Sequence, residues 1–380
     1  MSTETLSLLS DSPSGLNVEA AVRERYSAAS RQPAAELCCP VQYDSQYVDV
    51  LPRELIERDY GCGDPSRHVR PGETVLDLGS GGGKICYIAA QVVGPAGRVI
   101  GVDVNDDMLA LARKYQRQIG DRLGYHNVSF HKGRIQDLAL DLEVFERYLA
   151  QQPVSSASDW LRANEYAEHL RQTRPMVASD SVDVVVSNCV LNLVRREDRS
   201  QLFKEIFRVL WPGGRAVISD ITCDQPVPAR LQQDPTLWSG CLSGAFLEHE
   251  FLEAFAAAGF HGMRIADRQE RPWTILEGIE FRSMTVEAYK APRVAGDRSN
   301  EDTGQAVIYR GPWKQVTADD GQTLQRGVRT AVGQRDFELY RRPPYSESVI
   351  SISTGQAAIN AQAPAQASCC GPVQCGPVTS

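Results

Sequence analysis

Short apolar runs alternate with amphipathic segments along most of this chain. The runs have the length and the Val, Ile and Leu content of buried strands, whereas the segments between them repeat their apolar residues every three or four positions, as helices do. Strands that alternate with helices of this length predict a parallel sheet with helices on both faces, and therefore an α/β fold. The predicted strands are 74–79, 97–103, 127–131, 182–187, 215–220, 261–267 and 280–289, and the predicted helices are 83–93, 106–120, 197–210 and 247–258.

Two helical segments lie outside this alternation. Residues 1–70 begin with a Ser-rich stretch and then show helical spacing, so we expect an N-terminal helical cap on the core domain, 71–290. Residues 139–178 contain two amphipathic helical patterns broken at Pro153, and we interpret them as an insertion into that core. The pattern leaves open whether the insertion is a lid over the site, an oligomer contact or a surface decoration.

The C-terminal part of the chain has a different pattern. Residues 305–350 contain short apolar runs, among them Ala306-Val-Ile-Tyr and Phe337-Glu-Leu-Tyr-Arg, which predict a small antiparallel β module. From 351 to 380 the chain is rich in Ala, Gln, Pro, Gly and Ser, which predicts a flexible tail. We expect the three cysteines of this tail to capture thiophilic ions; they are Cys369, Cys370 and Cys375.

A glycine-rich turn follows the first predicted strand of the core. It runs Asp77-Leu-Gly-Ser-Gly-Gly-Gly83, and Asp103 closes the next strand. Glycines let a backbone approach a nucleotide ligand, and an acid at the end of the second strand accepts ribose hydroxyls. The order Asp-x-Gly-x-Gly-x-Gly differs from the dinucleotide-binding pattern and resembles motif I of the class I S-adenosylmethionine methyltransferases. That resemblance implies a Rossmann-like class I methyltransferase sheet, with the first acid near the amino acid end of the cofactor.

The resemblance also implies further cofactor contacts. Ile135 and Gln136 follow the third strand and are expected at the adenine, and Asn188 is expected at the methionine portion. The full set of expected S-adenosylmethionine contacts is Asp77, Gly79, Ser80, Gly81, Gly83, Asp103, Val104, Ile135, Gln136 and Asn188.

Composition and charge limit the classes of function that this protein can have. The 380 residues are 42% hydrophobic and 23% charged, as in ordinary globular proteins, and the net charge is −8. No basic run is interleaved with aromatic residues, so nucleic acid is not an expected partner. No apolar stretch reaches the roughly 20 residues that span a bilayer, and the first residues lack the basic and apolar regions of a signal peptide. We therefore expect no membrane association and a cytoplasmic location.

The chain has ten cysteines. Since a reducing compartment disfavours disulfide bonds, structural disulfides do not explain this number. No Cys-x-x-Cys pair occurs, so a structural zinc site is disfavoured. Cys189 directly follows a predicted strand, Cys241 lies in the long segment after the next strand, and Cys62 lies in a Gly-flanked turn before the core. Since ligands bind beyond the carboxyl ends of parallel strands, these three thiols are expected at the crevice of the glycine turn.

Three thiols without a histidine partner suit a soft, three-coordinate centre. An alternative for Cys189, which the sequence leaves open, is that it packs in the core as a small hydrophobic residue. For Cys86, inside the helix after the glycine turn, the core position is the favoured interpretation.

Three cysteine motifs carry a family resemblance. Tyr60-Gly-Cys62-Gly, Val186-Ser-Asn-Cys189-Val-Leu-Asn-Leu-Val and Leu237-Trp-Ser-Gly-Cys241-Leu-Ser-Gly-Ala resemble, in order and spacing, the arsenite S-adenosylmethionine methyltransferases. The resemblance extends from about residue 18 to about residue 345. It implies that Cys62, Cys189 and Cys241 hold trivalent arsenic as thiolates, and that the arsenic lone pair attacks the methyl group of the cofactor.

The resemblance further implies a redox step. Cys38 or Cys39 forms or resolves a disulfide that returns arsenic to the trivalent state, and thioredoxin or glutathione then restores the thiols. The context Glu36-Leu-Cys-Cys-Pro and the length of the 139–178 insertion depart from the family pattern. These departures leave open another soft element or a small organic molecule as methyl acceptor. The alternative from another functional class is a protein that binds or senses a soft metal.

Overall fold

The computed structural model describes residues 18–34, 41–58, 60–292, 304–319 and 321–353. The chain divides into two compact units, which meet in sequence between Ala291 and Pro292. In the described part, none of the helices is both long enough and apolar enough to cross a lipid bilayer.

The first unit is built on one mixed sheet. Its strand order is β3-β2-β1-β4-β5-β9-β7, with β6 paired to β5 and β8 paired to β9. The pairs among β1 to β5 are parallel, whereas β9 runs antiparallel to β5 and β7. The predicted α/β class is thus confirmed. The strands are β1 Thr74–Leu78, β2 Arg98–Asp103, β3 Val128–Lys132, β4 Val182–Asn188, β5 Leu210–Cys223, β6 Phe246–Leu247, β7 His261–Arg268, β8 Thr274–Leu276 and β9 Ile279–Tyr289.

The helices of the first unit flank this sheet. Asn105 caps α5 by accepting hydrogen bonds from the N–H groups of Asp107 and Met108, which explains why that helix begins directly after β2. Residues 139–178 contain α6 and α7. The helices are α1 Val18–Ala29, α2 Ser45–Val48, α3 Arg53–Glu57, α4 Lys84–Val93, α5 Asp106–Leu123, α6 Leu142–Gln151, α7 Ala157–Thr173, α8 Arg199–Val209, α9 Ala229–Gln232, α10 Pro235–Ser239 and α11 Glu248–Ala257.

Strand β4 shows why the core has two halves. Val184 and Val186 belong to one apolar cluster, whereas Val185, which lies between them, belongs to the other. Because successive side chains of a strand point to opposite faces, a continuous valine run serves both clusters. The strand is therefore buried on both sides and fixes the centre of the sheet.

Strand β5 is longer than the predicted strand at 215–220. It pairs with β9 from Arg215 to Cys223, and these nine backbone partners hold the chain extended beyond the apolar run. As a result Asp220 lies inside the strand and is fully buried, although an acidic residue is unfavourable in such a place.

The second unit contains two small sheets. One has the order β13-β10-β14, the other is the hairpin of β11 and β12, and all described pairs are antiparallel. The prediction of a strand at Phe337-Glu-Leu-Tyr-Arg is wrong: Phe337 and Tyr340 are three residues apart and both buried, which is the spacing of a helix face. The elements are β10 Ala306–Tyr309, β11 Gln315–Thr317, β12 Thr323–Gln325, β13 Arg329–Ala331, α12 Gln334–Tyr340 and β14 Val349–Ile352.

Candidate functional site

A cavity of about 240 Å³ opens at the carboxyl edge of the large sheet. It lies where the strand order reverses between β1 and β4, the position at which open α/β sheets bind their ligands. Seven of the ten predicted cofactor residues line it, namely Gly79, Gly81, Asp103, Val104, Ile135, Gln136 and Asn188. The other three do not line it; they are Asp77, Ser80 and Gly83.

The glycine turn has the geometry of a nucleotide-binding loop. Gly79 and Gly81 have positive φ angles of 67° and 51°. A Cβ atom at Gly79 would lie 2.5 Å from Cγ1 of Val190, so no other residue fits there. The backbone N–H of Gly81 donates to Oδ2 of Asp103 at 2.9 Å, and that of Asn105 donates to Oδ1 at 2.8 Å. The turn and Asp103 are thus held together at the cavity wall.

The residues around this turn fit S-adenosylmethionine. Gly79, Gly81 and Asp103 line the cavity, and Ser80, between the two glycines, carries a buried hydroxyl without a hydrogen-bond partner among the described residues. Asp77 is buried beneath the turn, where its Oδ2 accepts a hydrogen bond from the thiol of Cys86 at 3.2 Å. Asp77 therefore supports the loop from below, at a distance from the cavity wall.

Helix α1 closes one side of the cavity, which the sequence analysis did not anticipate. Glu19, Val22, Arg23 and Tyr26 all line the cavity. The helix is attached to the glycine-turn side because Nδ2 of Asn105 donates to the carbonyl of Arg23 at 3.1 Å. Helical spacing was visible in this segment, but no local signal specified where the helix would pack.

Cys62, Cys189 and Cys241 come together beside the cofactor cavity. The sulfurs of Cys62 and Cys189 and a carboxylate oxygen of Asp220 all lie within 4.8 Å of one another. The thiol of Cys241 donates to the carbonyl of Cys189 at 3.2 Å. Cys189 lines the cavity, whereas Cys62 and Cys241 are buried behind it. Within the described residues this is the one cluster that brings three such ligands together.

Asn188, the last residue of β4, holds the Cys62 turn. Its Oδ1 accepts hydrogen bonds from the N–H groups of Cys62 at 2.9 Å and Gly63 at 3.1 Å, and its Nδ2 donates to the carbonyl of Gly63 at 2.8 Å. A Cβ atom at Gly61 would lie 2.3 Å from Nδ2 of Asn188. The glycine before Cys62 therefore allows the turn to approach the strand end.

Two thiols of this cluster lie in surroundings that favour the protonated form. Burial raises the pKa of the Cys62 thiol, and the hydrogen bonds with Cys241 and Cys62, followed by burial, raise the pKa of Cys189 well above the usual value. Burial also raises the pKa of Asp220 to about 6. Cys62 and Cys189 thus present thiols of raised pKa next to one buried carboxyl group.

The remaining cysteines occupy other places. Cys86 and Cys223 are buried in the core of the first unit, as predicted for Cys86. Cys38 and Cys39 lie outside the described residues, as do Cys369, Cys370 and Cys375.

Two family models match the chain. A methyltransferase domain matches residues 70–159 and 162–259, and a domain of unknown function matches residues 297–379. The first match covers β1 to β5 and the glycine turn, whereas α1, which also lines the cavity, lies before it.

Curated proteins and a solved structure are similar over most of the chain. An arsenite methyltransferase of Homo sapiens is 32% identical over 80% of this chain and 73% of its own length. One of Aquipseudomonas alcaligenes is 35% identical over 68% of this chain, and the match spans 65% of that protein. The crystal structure of an arsenic(III) S-adenosylmethionine methyltransferase from Chlamydomonas reinhardtii superposes with a TM-score of 0.55 at 26% identity, covering 83% of this chain and 97% of that one.

Proposed function

The chain belongs to the arsenite methyltransferase family, and on this premise we propose that it transfers the methyl group of S-adenosylmethionine to trivalent arsenic bound by Cys62, Cys189 and Cys241. The observation that carries this proposal is the convergence of three cysteines, from three separate segments, next to the cavity that Cys189 lines. Three sulfur ligands without a histidine suit a soft centre such as trivalent arsenic.

The neutral thiols suit arsenite as substrate. Arsenite near neutral pH is the uncharged trihydroxide of arsenic. Each thiol replaces one hydroxide, its proton leaves with that hydroxide as water, and three As–S bonds form while three As–O bonds break. The exchange creates no net charge, so the buried site needs no cation to compensate thiolates. This agrees with the raised pKa values of Cys62 and Cys189.

Methyl transfer requires alignment more than acid–base catalysis. When bound, S-adenosylmethionine supplies a methyl group on a positively charged sulfur. The arsenic lone pair forms the As–C bond while the S–C bond breaks, and the electron pair of that bond stays on the cofactor sulfur. Cys189 lines the cavity and therefore presents arsenic to it, while the burial of Cys62 and Cys241 keeps water from the reacting atoms.

A thiol reductant is the third component of the proposal. Methyl transfer raises arsenic from the trivalent to the pentavalent state, so two electrons must return before the next cycle. Two thiols supply them by forming a disulfide, with Cys38 or Cys39 as one partner, and thioredoxin or glutathione reduces that disulfide. The assignment of Cys38 or Cys39 rests on the family resemblance, since both lie outside the described residues.

The first prediction concerns Cys189→Ser. We expect this variant to lose arsenite methylation by about a hundredfold or more, because two ligands misplace the arsenic lone pair. Its affinity for S-adenosylmethionine should stay at the wild-type value. The measurement is mass spectrometry of arsenic species after incubation with arsenite, S-adenosylmethionine and thiol.

Cys223→Ser is the matched control. Cys223 is buried in β5 and donates to the carbonyl of Phe246 at 3.3 Å, a bond that a serine hydroxyl can replace, so methylation should persist. Wild-type methylation by Cys189→Ser would contradict the proposal and favour an organic acceptor. Arsenite binding without any methyl transfer in the wild type would instead favour a metalloid-binding protein.

A further inference from the structure

Asp220 is a buried carboxyl group to which the proposed chemistry assigns no role. It lies in the interior of β5, and one of its carboxylate oxygens lies within 4.8 Å of the sulfurs of Cys62 and Cys189. A carboxylate in this position either supplies a ligand to the bound ion or holds other groups in place. Its hydrogen bonds distinguish these two roles.

Both carboxylate oxygens are occupied by donors. Oδ1 accepts from Nδ2 of Asn192 at 2.7 Å and from the N–H of Ile221 at 2.8 Å. Oδ2 accepts from the N–H groups of Leu191 at 2.8 Å and Asn192 at 3.3 Å. A carboxylate offers about four lone-pair sites, so these four donors fill them. Asp220 is therefore not a ligand for the substrate, and it acts through the groups that it holds.

Asn192 extends this connection to the Cys241 segment. Its Nδ2 donates to Asp220 and also lies 2.7 Å from the carbonyl of Ile221 and 3.3 Å from the carbonyl of Cys241. Asn192 is fully buried and follows Cys189 by three residues. One side chain thus connects the Cys189 segment, strand β5 and the backbone of Cys241.

Arg199 makes a second connection between the same two segments. Its Nη2 donates to the carbonyl of Gly244 at 2.6 Å and to that of Asn192 at 3.4 Å. A Cβ atom at Gly244 would lie 2.0 Å from the carbonyl oxygen of Asn192, so the two segments pack in direct backbone contact. The segments that carry Cys189 and Cys241 are therefore fixed to each other by several independent bonds.

The two cysteines need this support because of their backbone conformation. Cys189 and Cys241 both have a φ angle of 63°, in the left-handed region that residues other than glycine rarely adopt. Such conformations persist only where the surrounding structure imposes them. Without the bonds to Asp220 and Asn192, both segments would relax and the two sulfurs would change their relative position.

We propose that Asp220 and Asn192 are positioning residues that set the relative position of the Cys189 and Cys241 sulfurs for three-coordinate binding of arsenic. This inference rests on the proposed function. It predicts that the pair controls the affinity for the metalloid and the number of sulfurs bound to it, while the cofactor cavity, to which neither residue contributes a lining atom, is unaffected.

The experiment compares Asp220→Asn and Asn192→Ala with the wild type. Asparagine keeps the shape of Asp220 but places a donor where the carboxylate accepts, and alanine removes the connection to Cys241. Both variants should bind arsenite about 10- to 100-fold more weakly, the usual range for side chains that orient metal ligands. X-ray absorption spectroscopy of the arsenic complex should count three sulfur neighbours in the wild type and fewer in both variants. The affinity for S-adenosylmethionine should not change.

Thr222→Val is the matched control, because it removes a buried hydroxyl of the same strand whose partner is the carbonyl of Arg282 at 3.3 Å. It should keep all three sulfur neighbours. Wild-type arsenite affinity with three sulfurs in Asn192→Ala would overturn the inference and leave the proposed function intact. If Asp220→Asn does not fold, Asn192→Ala decides alone, since it preserves the bonds from Leu191 and Ile221 to Asp220. Arsenic without sulfur neighbours in the wild type would overturn both.

Discussion

Asn188 belongs to both halves of the candidate site. Its side chain lines the cofactor cavity, and the same amide holds the backbone of Cys62 and Gly63 with three hydrogen bonds. The carboxylate of Asp220, in contrast, accepts its hydrogen bonds from Leu191, Asn192 and Ile221 and does not line the cavity. Under the proposed function, Asn188 therefore connects the cofactor and metalloid sites, whereas Asp220 acts on the metalloid site alone.

The protonation of the cysteines leads to a prediction about proton exchange. Neutral thiols that displace hydroxide from arsenic release water and no protons, whereas preformed thiolates would take up one proton each. We therefore expect the heat of arsenite binding near neutral pH to be the same in buffers of different ionisation enthalpy. Isothermal titration calorimetry measures this, and heats that vary with the buffer would contradict it.

The same pKa shifts determine whether the stability of the fold rises or falls with pH. Burial raises the pKa of Cys62 in the folded state, and hydrogen bonds with its neighbours raise that of Cys189. The folded state therefore binds these protons more tightly than the unfolded state does. This contribution to the free energy of unfolding is fully present below the ordinary cysteine pKa and is lost as pH rises through the raised values.

Helix α1 connects the cofactor side of the site to the Cys241 side. The carbonyl of Arg23 accepts a hydrogen bond from Asn105, which follows β2, and the guanidinium of Arg25 donates to the carbonyl of Thr236 at 2.6 Å and to Oγ of Ser239 at 3.0 Å. Thr236 and Ser239 belong to α10, which ends just before Cys241. These two attachments hold the helix against both sides of the cavity.

Arg25→Ala should loosen this helix. Loss of a hydrogen bond from a charged donor should lower the free energy of local opening by about 1.5 kcal/mol, which hydrogen exchange of the α1 amides measures. Arg31→Ala is the control, because Arg31 pairs with Asp107 at 2.9 Å while its side chain is 70% exposed, and exposed pairs contribute about 0–1 kcal/mol. Equal exchange in the two variants would show that Arg25 does not anchor the helix.

All described residues assigned to the site lie in the first unit of the chain, which ends at Ala291. The second unit has an apolar core of its own, formed by residues such as Val307, Phe337 and Tyr340. The described part of the candidate site is thus confined to the first unit. The segment after residue 353, outside the described residues, carries three further cysteines.

Truncation after residue 353 should leave kcat for arsenite methylation at the wild-type value, because no described site residue is removed. The rate at low arsenite concentration should fall if Cys369, Cys370 and Cys375 deliver the metalloid. Replacing these three cysteines by serine in the full chain separates the effect of the thiols from that of the segment. A loss of kcat as large as that of Cys189→Ser would contradict this prediction.

The sheet and the cofactor cavity could be predicted from local sequence. Hydrophobic periodicity identified β1 to β5, since it depends only on neighbouring residues, and the glycine turn with Asp103 identified the crevice beyond the strands. The same rule placed Cys189, which directly follows β4, at this edge, whereas Cys62 lies in a turn before β1, to which the rule about strand ends does not apply.

Only tertiary structure decided the rest. The packing of α1 over the cavity and three of the four donors around Asp220 join residues that are 28 to 211 positions apart. The helix at Gln334–Tyr340 is favoured over a strand because Phe337 and Tyr340 reach one core together. Such contacts depend on where whole helices and strands pack against each other. Periodicity, turn chemistry and residue spacing describe one element at a time, so they do not predict these contacts.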